Sequence, residues 1–141
     1  MFTRMDHVGV SVKDIEKAIE FYRDVLGMEV SLDRTFDAPL AQITGLEDAR
    51  ARIVHMRLEE SVIELFDYQH PRGREPRPDH MQADYGLIHI GFIVQDFQKT
   101  YRDLKAKGVQ FLGAPVEIRP GVFVAYFRGA ESEICEMREI T

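Results

Sequence analysis

Two histidines and two glutamates occupy matching places in the two halves of this 141-residue sequence. His7 stands in DHVGVSV and His89 in IHIGFIV, each followed by a glycine two positions later. Glu64 lies inside the apolar run VIELFDY, and Glu136 lies inside EICEMRE. A carboxylate among apolar neighbours is costly to bury unless it is paired or bound to a metal. Two imidazoles and two carboxylates suit a borderline divalent ion such as Ni, Co, Zn, Mn or Fe, with coordination positions left for water or substrate oxygens.

The matching places belong to a repeated segment. At an offset of 82 residues the two copies align five identical pairs, namely His7 with His89, Gly9 with Gly91, Val12 with Val94, Asp14 with Asp96, and Lys17 with Lys99. Two copies indicate a paired fold, because a solenoid needs at least three repeats.

Hydrophobic periodicity predicts the same element order in both copies. In the first, we expect a strand at 5–12, a helix at 14–26 that stops at Gly27, a loop with a short helical turn at 36–50, and strands at 28–35, 51–58 and 62–68, the last two joined by a turn at 59–61. In the second, we expect a strand at 87–94, a helix at 95–107 that stops at Gly108, and strands at 109–112, 122–128 and 133–139. Each copy is therefore predicted to be a βαβββ module of an α+β fold.

Composition divides the chain between these modules. Residues 1–69 form the first module and residues 87–141 the second, and together they are expected to form one compact domain. The segment 70–86 is rich in proline, glycine and charge, which marks it as a linker.

Strand alternation places the two histidines on similar faces. His7, Gly9 and Ser11 share one face of the first strand, and the valines share the other. His89 and Gly91 share a face in the second copy. A face that bears histidine beside glycine is poor core material but suits the wall of a cleft, because glycine leaves room for something to approach the sheet.

The repeat and its four matched positions resemble the vicinal oxygen chelate superfamily, which includes glyoxalase I, methylmalonyl-CoA epimerase, extradiol dioxygenases and bleomycin-resistance proteins. The resemblance covers nearly the whole chain. It implies two βαβββ modules that form a U-shaped mixed sheet around a metal cleft. It also implies one divalent metal ion bound by His7, Glu64, His89 and Glu136. The alternative for Glu64 is an ion pair with Arg52 or Arg57 on the neighbouring strand.

The reaction implied by the resemblance is that of a metal-dependent lyase or isomerase of the glyoxalase I or epimerase type. A metal that polarises a carbonyl makes the proton on the neighbouring carbon removable by a carboxylate. Glu136 is the expected base, and Glu64 is a possible second base. Short bacterial glyoxalase I enzymes place an arginine and an asparagine for glutathione where this chain has Ser11 and Tyr68, which speaks against glutathione.

Two alternatives remain open. Extradiol dioxygenases use two histidines and one carboxylate for iron, matched by His7, His89 and Glu136, with a tyrosine ten residues before the acid, where Tyr126 stands. Glu64 would then be a surplus carboxylate. A metal-free binding protein of the bleomycin-resistance type would generally lack the four matched positions. His55 and Tyr126 are candidate substrate contacts, although His55 could equally be an ordinary polar surface residue.

The composition and the net charge of the chain argue against some kinds of partner and location. The formal net charge is -6 and no basic block stands out, which argues against nucleic acid. The longest apolar runs are strand-sized, so no membrane span is expected. The single cysteine, Cys135, excludes an internal disulfide and favours a reducing compartment. No signal-peptide pattern precedes the first strand. We therefore expect a cytoplasmic protein. The resemblance to the vicinal oxygen chelate superfamily implies a small-molecule substrate and a homodimer.

Overall fold

The structure is a computed structural model that describes residues 1–75, 77 and 79–141. The chain divides into two compact units, Met1–Glu75 and Pro76–Thr141. The division falls within the predicted linker, in which Pro76 and Pro78 lie outside the described residues.

The first unit is a four-stranded sheet with two helices. Its elements are β1 (His7–Ser11), α1 (Ile15–Glu20), a π-helical turn (Phe21–Val25), β2 (Glu29–Phe36), α2 (Ala38–Thr44), β3 (Arg50–Leu58) and β4 (Ser61–His70). The strand order is β1-β4-β3-β2, with β1 parallel to β4 and the other pairs antiparallel. The last strand of the unit therefore lies beside the first.

Helices α1 and α2 each bury apolar side chains. Helix α1 begins where the Asp14 side chain accepts a hydrogen bond from the Lys17 backbone N–H at 3.2 Å, a typical N-cap. It buries the apolar side chains that the periodicity predicted, Ile15, Ala18 and Ile19. Helix α2 buries Leu40 in a cluster that includes Ala49, Ala51 and Ile53, with Phe66 and Tyr68 packed against it. His7 and Glu64 do not belong to the cluster around Leu40.

The second unit repeats the sheet with one long helix. Its elements are β5 (Ile90–Ile93), α3 (Phe97–Ala106), β6 (Val116–Arg119), β7 (Val122–Arg128) and β8 (Ile134–Ile140), in the order β5-β8-β7-β6. As in the first unit, the outer strand β5 is parallel to the last strand. The α+β fold built from two βαβββ modules is thereby confirmed; the U-shaped cleft stays a prediction.

Helix α3 is fixed at its first turn by two acidic side chains. The Asp96 side chain accepts from the Lys99 backbone N–H at 3.1 Å, as Asp14 does in the first unit. The Glu139 carboxylate accepts from the backbone N–H groups of Asp96 and Phe97 at 2.9 and 3.2 Å. Glu139 therefore faces the helix, and the even-numbered residues of β8 on either side of it face the opposite way.

The prediction of a strand at 109–112 is wrong. Phe111 makes only an isolated bridge with Phe127, and the edge strand is instead Val116–Arg119. Gly113 and Pro115 lie between these two segments, and both residue types disfavour a continuous strand. Pro120 and Gly121, with Gly121 at φ 75, turn the chain from β6 into β7.

The predicted strand at 87–94 is also shorter than expected. Pairing starts at Ile90 opposite Cys135, so His89 lies immediately before β5 instead of within it. In this register His89 is opposite Ile134, the first residue of β8, and only the residues before His89 lie beyond the start of that strand.

Candidate metal centre

Each first-strand glycine lies beside the glutamate of its unit's last strand. Gly9 is paired with Glu64 in the parallel β1–β4 ladder, and Gly91 is paired with Glu136 in the β5–β8 ladder. A Cβ atom at Gly91 would lie only 3.2 Å from Glu136 Oε2. Gly91 therefore leaves space beside Glu136, and the sequence repeat corresponds to a repeat in register.

In the first unit, Glu64 lies between two imidazoles. Its Oε2 is 3.3 Å from His7 Nε2, and its Oε1 is 2.9 Å from His55 Nε2. The Glu64 side chain is only 16% exposed. Because the close contact with His55 occupies Oε1, the other oxygen is the one that faces His7.

Among the described residues, Glu64 does not form the ion pair with Arg52 or Arg57 that was the alternative prediction. Arg52 donates two hydrogen bonds to the Asp33 carboxylate at 2.9 and 2.8 Å and also pairs with Glu16. Arg57 donates to the backbone carbonyl of Glu59 at 2.7 Å. The carboxylate of Glu64 is therefore neighboured by histidine and not by arginine.

In the second unit, Glu136 faces one imidazole. Its Oε2 is 3.5 Å from His89 Nε2, and its side chain is 14% exposed. Tyr126 lies directly across the β7–β8 ladder from Glu136, and its ring centroid is 5.3 Å from that of His89. Among the described residues, no hydrogen bond holds the Glu136 carboxylate.

Both histidines have a partner on the ring nitrogen that points away from the glutamate. His7 Nδ1 is 3.0 Å from Asp6 Oδ2, and His89 Nδ1 is 2.7 Å from the Gln82 amide. The hydrogen bond with Asp6, and secondarily the charge of Glu64, raise the pKa of His7 above its ordinary value against the opposing effect of burial. Such partners orient the histidine ligands of metal sites and fix their tautomer.

The Gln82 amide has one atom without a partner. Its Oε1 is buried and accepts no hydrogen bond within the part of the chain that the structure describes. A half-turn of the amide would place Gln82 Oε1 against His89 Nδ1, where it could accept a proton from Nδ1. The Nε2 atom of His89 would then be free to bind a metal. Neither Asp6 nor Gln82 was predicted from the sequence.

The two imidazole–carboxylate pairs have the spacing of metal donors. Two ligands bound to one ion at 2.0–2.2 Å are roughly 3.0–3.5 Å apart. The His7–Glu64 and His89–Glu136 contacts, at 3.3 and 3.5 Å, fit this range. Across residues 1–75, 77 and 79–141, no group of three or more His, Cys, Asp or Glu side chains meets the geometry of a complete metal site. Each unit therefore presents a partial donor set.

Cys135 belongs to the core. Its side chain is fully buried, and burial raises the pKa of the thiol to about 12. A thiol so protonated is not a nucleophile at neutral pH. Cys135 therefore serves packing.

The described helices include none that is long and apolar enough to cross a membrane.

A solved structure shares the fold of this chain. The structure of a glyoxalase family protein from Bacillus cereus superposes with a TM-score of 0.90 at 22% identity, covering 100% of this chain and 97% of that one. Residues 4–129 match the model of the Glyoxalase/Bleomycin resistance protein/Dioxygenase superfamily. The chain belongs to this superfamily, which confirms the resemblance seen in its sequence.

Two curated relatives are epimerases. The chain is 34% identical to 2-epi-5-epi-valiolone epimerase from Actinomyces sp over 121 residues, which cover 82% of this chain and 65% of that protein. It is 30% identical to ethylmalonyl-CoA/methylmalonyl-CoA epimerase from Cereibacter sphaeroides, over 81% of this chain and 78% of the relative. The chain thus spans less than two thirds of the first relative's length.

Proposed function

We propose that this chain is a divalent-metal-dependent lyase or isomerase of the glyoxalase I or epimerase type. It moves a proton at a carbon next to a carbonyl of a small-molecule substrate. The contrast between the two glutamates carries the proposal. Glu64 lies close to two imidazoles, His55 at 2.9 Å and His7 at 3.3 Å, whereas the largely buried Glu136 lies close to one, His89 at 3.5 Å. The epimerase relatives support the same class of reaction.

His7, Glu64, His89 and Glu136 would hold the ion, which is Ni, Co, Zn, Mn or Fe. Imidazole and carboxylate donors suit these borderline metals, and the donor spacing within each unit supports the assignment. When bound, the ion supplies Lewis-acid polarisation of a carbonyl oxygen.

Glu136 is the proposed base. Its carboxylate has free lone pairs, and the proton it takes from the substrate carbon can be returned to the same or the opposite face. Glu64 is the lesser candidate, because the imidazole of His55 already lies 2.9 Å from its Oε1. His55, predicted as a substrate contact, is better assigned to orienting Glu64. Tyr126 remains the proposed substrate contact, on the same sheet face as Glu136.

The metal ligands are tested by elemental analysis of protein that has been stripped with a chelator and reloaded. We expect about one divalent ion per chain in the wild type and none in the double variant His7→Ala, His89→Ala. His80→Ala is the matched control, because His80 pairs with Asp84 in the linker segment at 3.0 Å. Full metal content in the double variant contradicts the ligand set.

The reaction is tested by offering 2-oxo hemithioacetals, acyl-CoA thioesters and catechols under air, while solvent deuterium exchange and oxygen uptake are followed separately. We expect exchange without oxygen uptake, and a loss of about 10²- to 10⁴-fold in Glu136→Gln with metal still bound. Oxygen uptake with catechol cleavage would instead favour the iron dioxygenase, with Tyr126 as its tyrosine. Binding without either signal would favour a bleomycin-resistance-like binding protein.

We also propose a homodimer. Apolar side chains remain exposed in the second unit, including Val116 and Ile118 in the edge strand β6. Light scattering at micromolar concentration is expected to give twice the mass of one chain, and the mass of a single chain would exclude the dimer. The cytoplasmic location stays a prediction based on the single cysteine.

A further inference from the structure

Arg138 shares a sheet face with the candidate base. It lies two residues after Glu136 in β8, so both side chains leave the strand on the same side, opposite to Glu139. Two residues along a strand correspond to about 7 Å. The register places Ile93 of β5 and Val124 of β7 on either side of Arg138.

The guanidinium of Arg138 has no protein partner in the described part of the chain. Its Nε is buried and makes no hydrogen bond, and no carboxylate lies within ion-pair distance. Other arginines of the chain behave differently: Arg52 is paired with Asp33, and Arg72 with Asp67 at 3.1 Å. A buried, unpaired cationic N–H is costly, and such groups in native structures call for an explanation.

The neighbours of Arg138 supply no compensating charge. Ile93 and Val124 are apolar, the adjacent Glu139 faces the helix on the other side of the sheet, and Glu136, the nearest acid on the same face of β8, makes no ion pair with Arg138 among the described residues. Ile93 is 66% exposed, so this part of the sheet is open to solvent on the side of β5. An anion could therefore reach Arg138 from outside.

We propose that Arg138 binds an anionic oxygen group of the substrate, a carboxylate or a phosphate, while Glu136 acts on a carbon a few bonds away. The proposal rests on the proposed function for the role of Glu136, but not for the binding of the anion. Guanidinium is suited to this task because its planar fork of N–H donors matches the oxygens of carboxylate and phosphate. The substrate would then be a carbonyl compound with a second, negatively charged end.

Anion binding is tested first without any reaction. The Nε–H signal of Arg138, identified in ¹⁵N spectra of the full chain by its loss in Arg138→Met, is followed during titration with malonate and with inorganic phosphate at constant ionic strength. We expect a saturable shift with at least one anion. The anion that binds more tightly shows whether the site prefers a carboxylate or a phosphate. No saturable shift, or the same shift with chloride, overturns the proposal.

The charge of Arg138 is then compared with that of a matched residue. Arg102 is exposed on helix α3, so Arg102→Met changes the net charge equally. We expect Arg138→Met to weaken binding of the anion about 10- to 100-fold, as loss of a charge-assisted hydrogen bond does, and Arg102→Met to leave it unchanged. Equal weakening in both variants overturns a specific site. An unfolding temperature of Arg138→Met no lower than that of the wild type shows that the loss is not unfolding, since removal of an unpaired buried charge does not destabilise.

A substrate pair separates this inference from the proposed function. Deuterium exchange is measured on an acyl thioester that carries a free carboxylate and on its methyl ester. We expect the wild type to prefer the carboxylate form about tenfold or more in kcat/KM, and Arg138→Met to lose that preference while it still exchanges the ester. If the wild type exchanges both compounds without preferring the carboxylate form, the role of Arg138 is overturned and the proposed reaction is not. Absence of exchange with both compounds contradicts the proposed reaction, while the titration still decides the anion site.

Discussion

His55 and Tyr126 hold corresponding positions in the two units, each directly across the sheet from the glutamate of the last strand. Only His55 contacts that glutamate, with its Nε2 at 2.9 Å from Glu64 Oε1. The ring of Tyr126 lies against His89 instead. The two units are therefore alike in register but different in how the carboxylate is held.

This difference predicts unequal effects of mutation on metal affinity. In His55→Ala, Glu64 loses its orienting partner, and we expect metal to bind about 10- to 100-fold more weakly, as when other partners of metal ligands are removed. Tyr126→Phe should bind metal as the wild type does. Competition with a chromophoric chelator measures both affinities. Equal losses in the two variants would contradict the assigned roles.

Gln82 is expected to act through His89. Gln82→Leu removes the amide that contacts His89 Nδ1 at 2.7 Å, so we expect metal affinity to fall about 10- to 100-fold. Gln82→Glu keeps an acceptor oxygen at the same distance and should retain most of the affinity. The control is Gln98→Leu on the exposed side of helix α3. A Gln82→Leu variant with unchanged affinity would remove Gln82 from the site.

The pKa of His7 should respond to Asp6. The hydrogen bond to Asp6 raises this pKa above 6.5, so in the metal-free protein the interaction stabilises the fold fully below pH 6.5. That contribution is lost as the pH rises through the raised pKa. His7 is 42% exposed, so the effect on stability is small. NMR titration of the imidazole should give a lower pKa in Asp6→Asn than in the wild type; an unchanged value would refute the link.

Gly91 and Gly9 give a matched pair of alanine substitutions. A Cβ at position 91 would lie 3.2 Å from Glu136 Oε2, whereas at position 9 it would meet the Phe66 ring at an ordinary 3.5 Å. We expect Gly91→Ala to displace the Glu136 carboxylate and lower proton exchange by up to about 100-fold. Gly9→Ala should change it little. Thermal unfolding of both variants checks that the fold is kept, and an unaffected Gly91→Ala would place the reaction away from Glu136.

Much of the fold could be predicted because the repeat carries its own boundaries. Asp14 begins α1 as predicted, although the predicted helix at 14–26 is divided into α1 and the π-helical turn that precedes Gly27. Helix α3 begins at its N-cap Asp96, one residue later than predicted, and ends just before Gly108. The edge strand β6 was missed because the apolar run at 109–112 looked more strand-like than Val116–Arg119. The Pro120–Gly121 pair was the available signal, since such a pair between two short extended segments favours a turn.

The contact between His55 and Glu64 could not be predicted because it depends on one residue of loop length. A three-residue turn at 59–61 would have placed Met56 opposite Glu64. The actual turn has two residues, with Leu58 paired to Ser61, and Glu59 takes a left-handed conformation at φ 52. A shift of one residue moves every side chain of a strand to the other face. The isolation of Arg138 has no sequence signal at all, because it depends on which side chains fail to reach it.

The buried thiol of Cys135 has a practical consequence for the residue that follows it. Cys135 is the chain's single cysteine, and a labelling reagent can modify it only when β8 separates from its neighbours. An ion bound to Glu136 would stabilise the closed strand by mass action, so labelling should slow as the ratio of free metal to its dissociation constant rises. The half-time of the thiol-labelling reaction would then report what fraction of Glu136 is bound to metal, without a probe on the metal or the substrate.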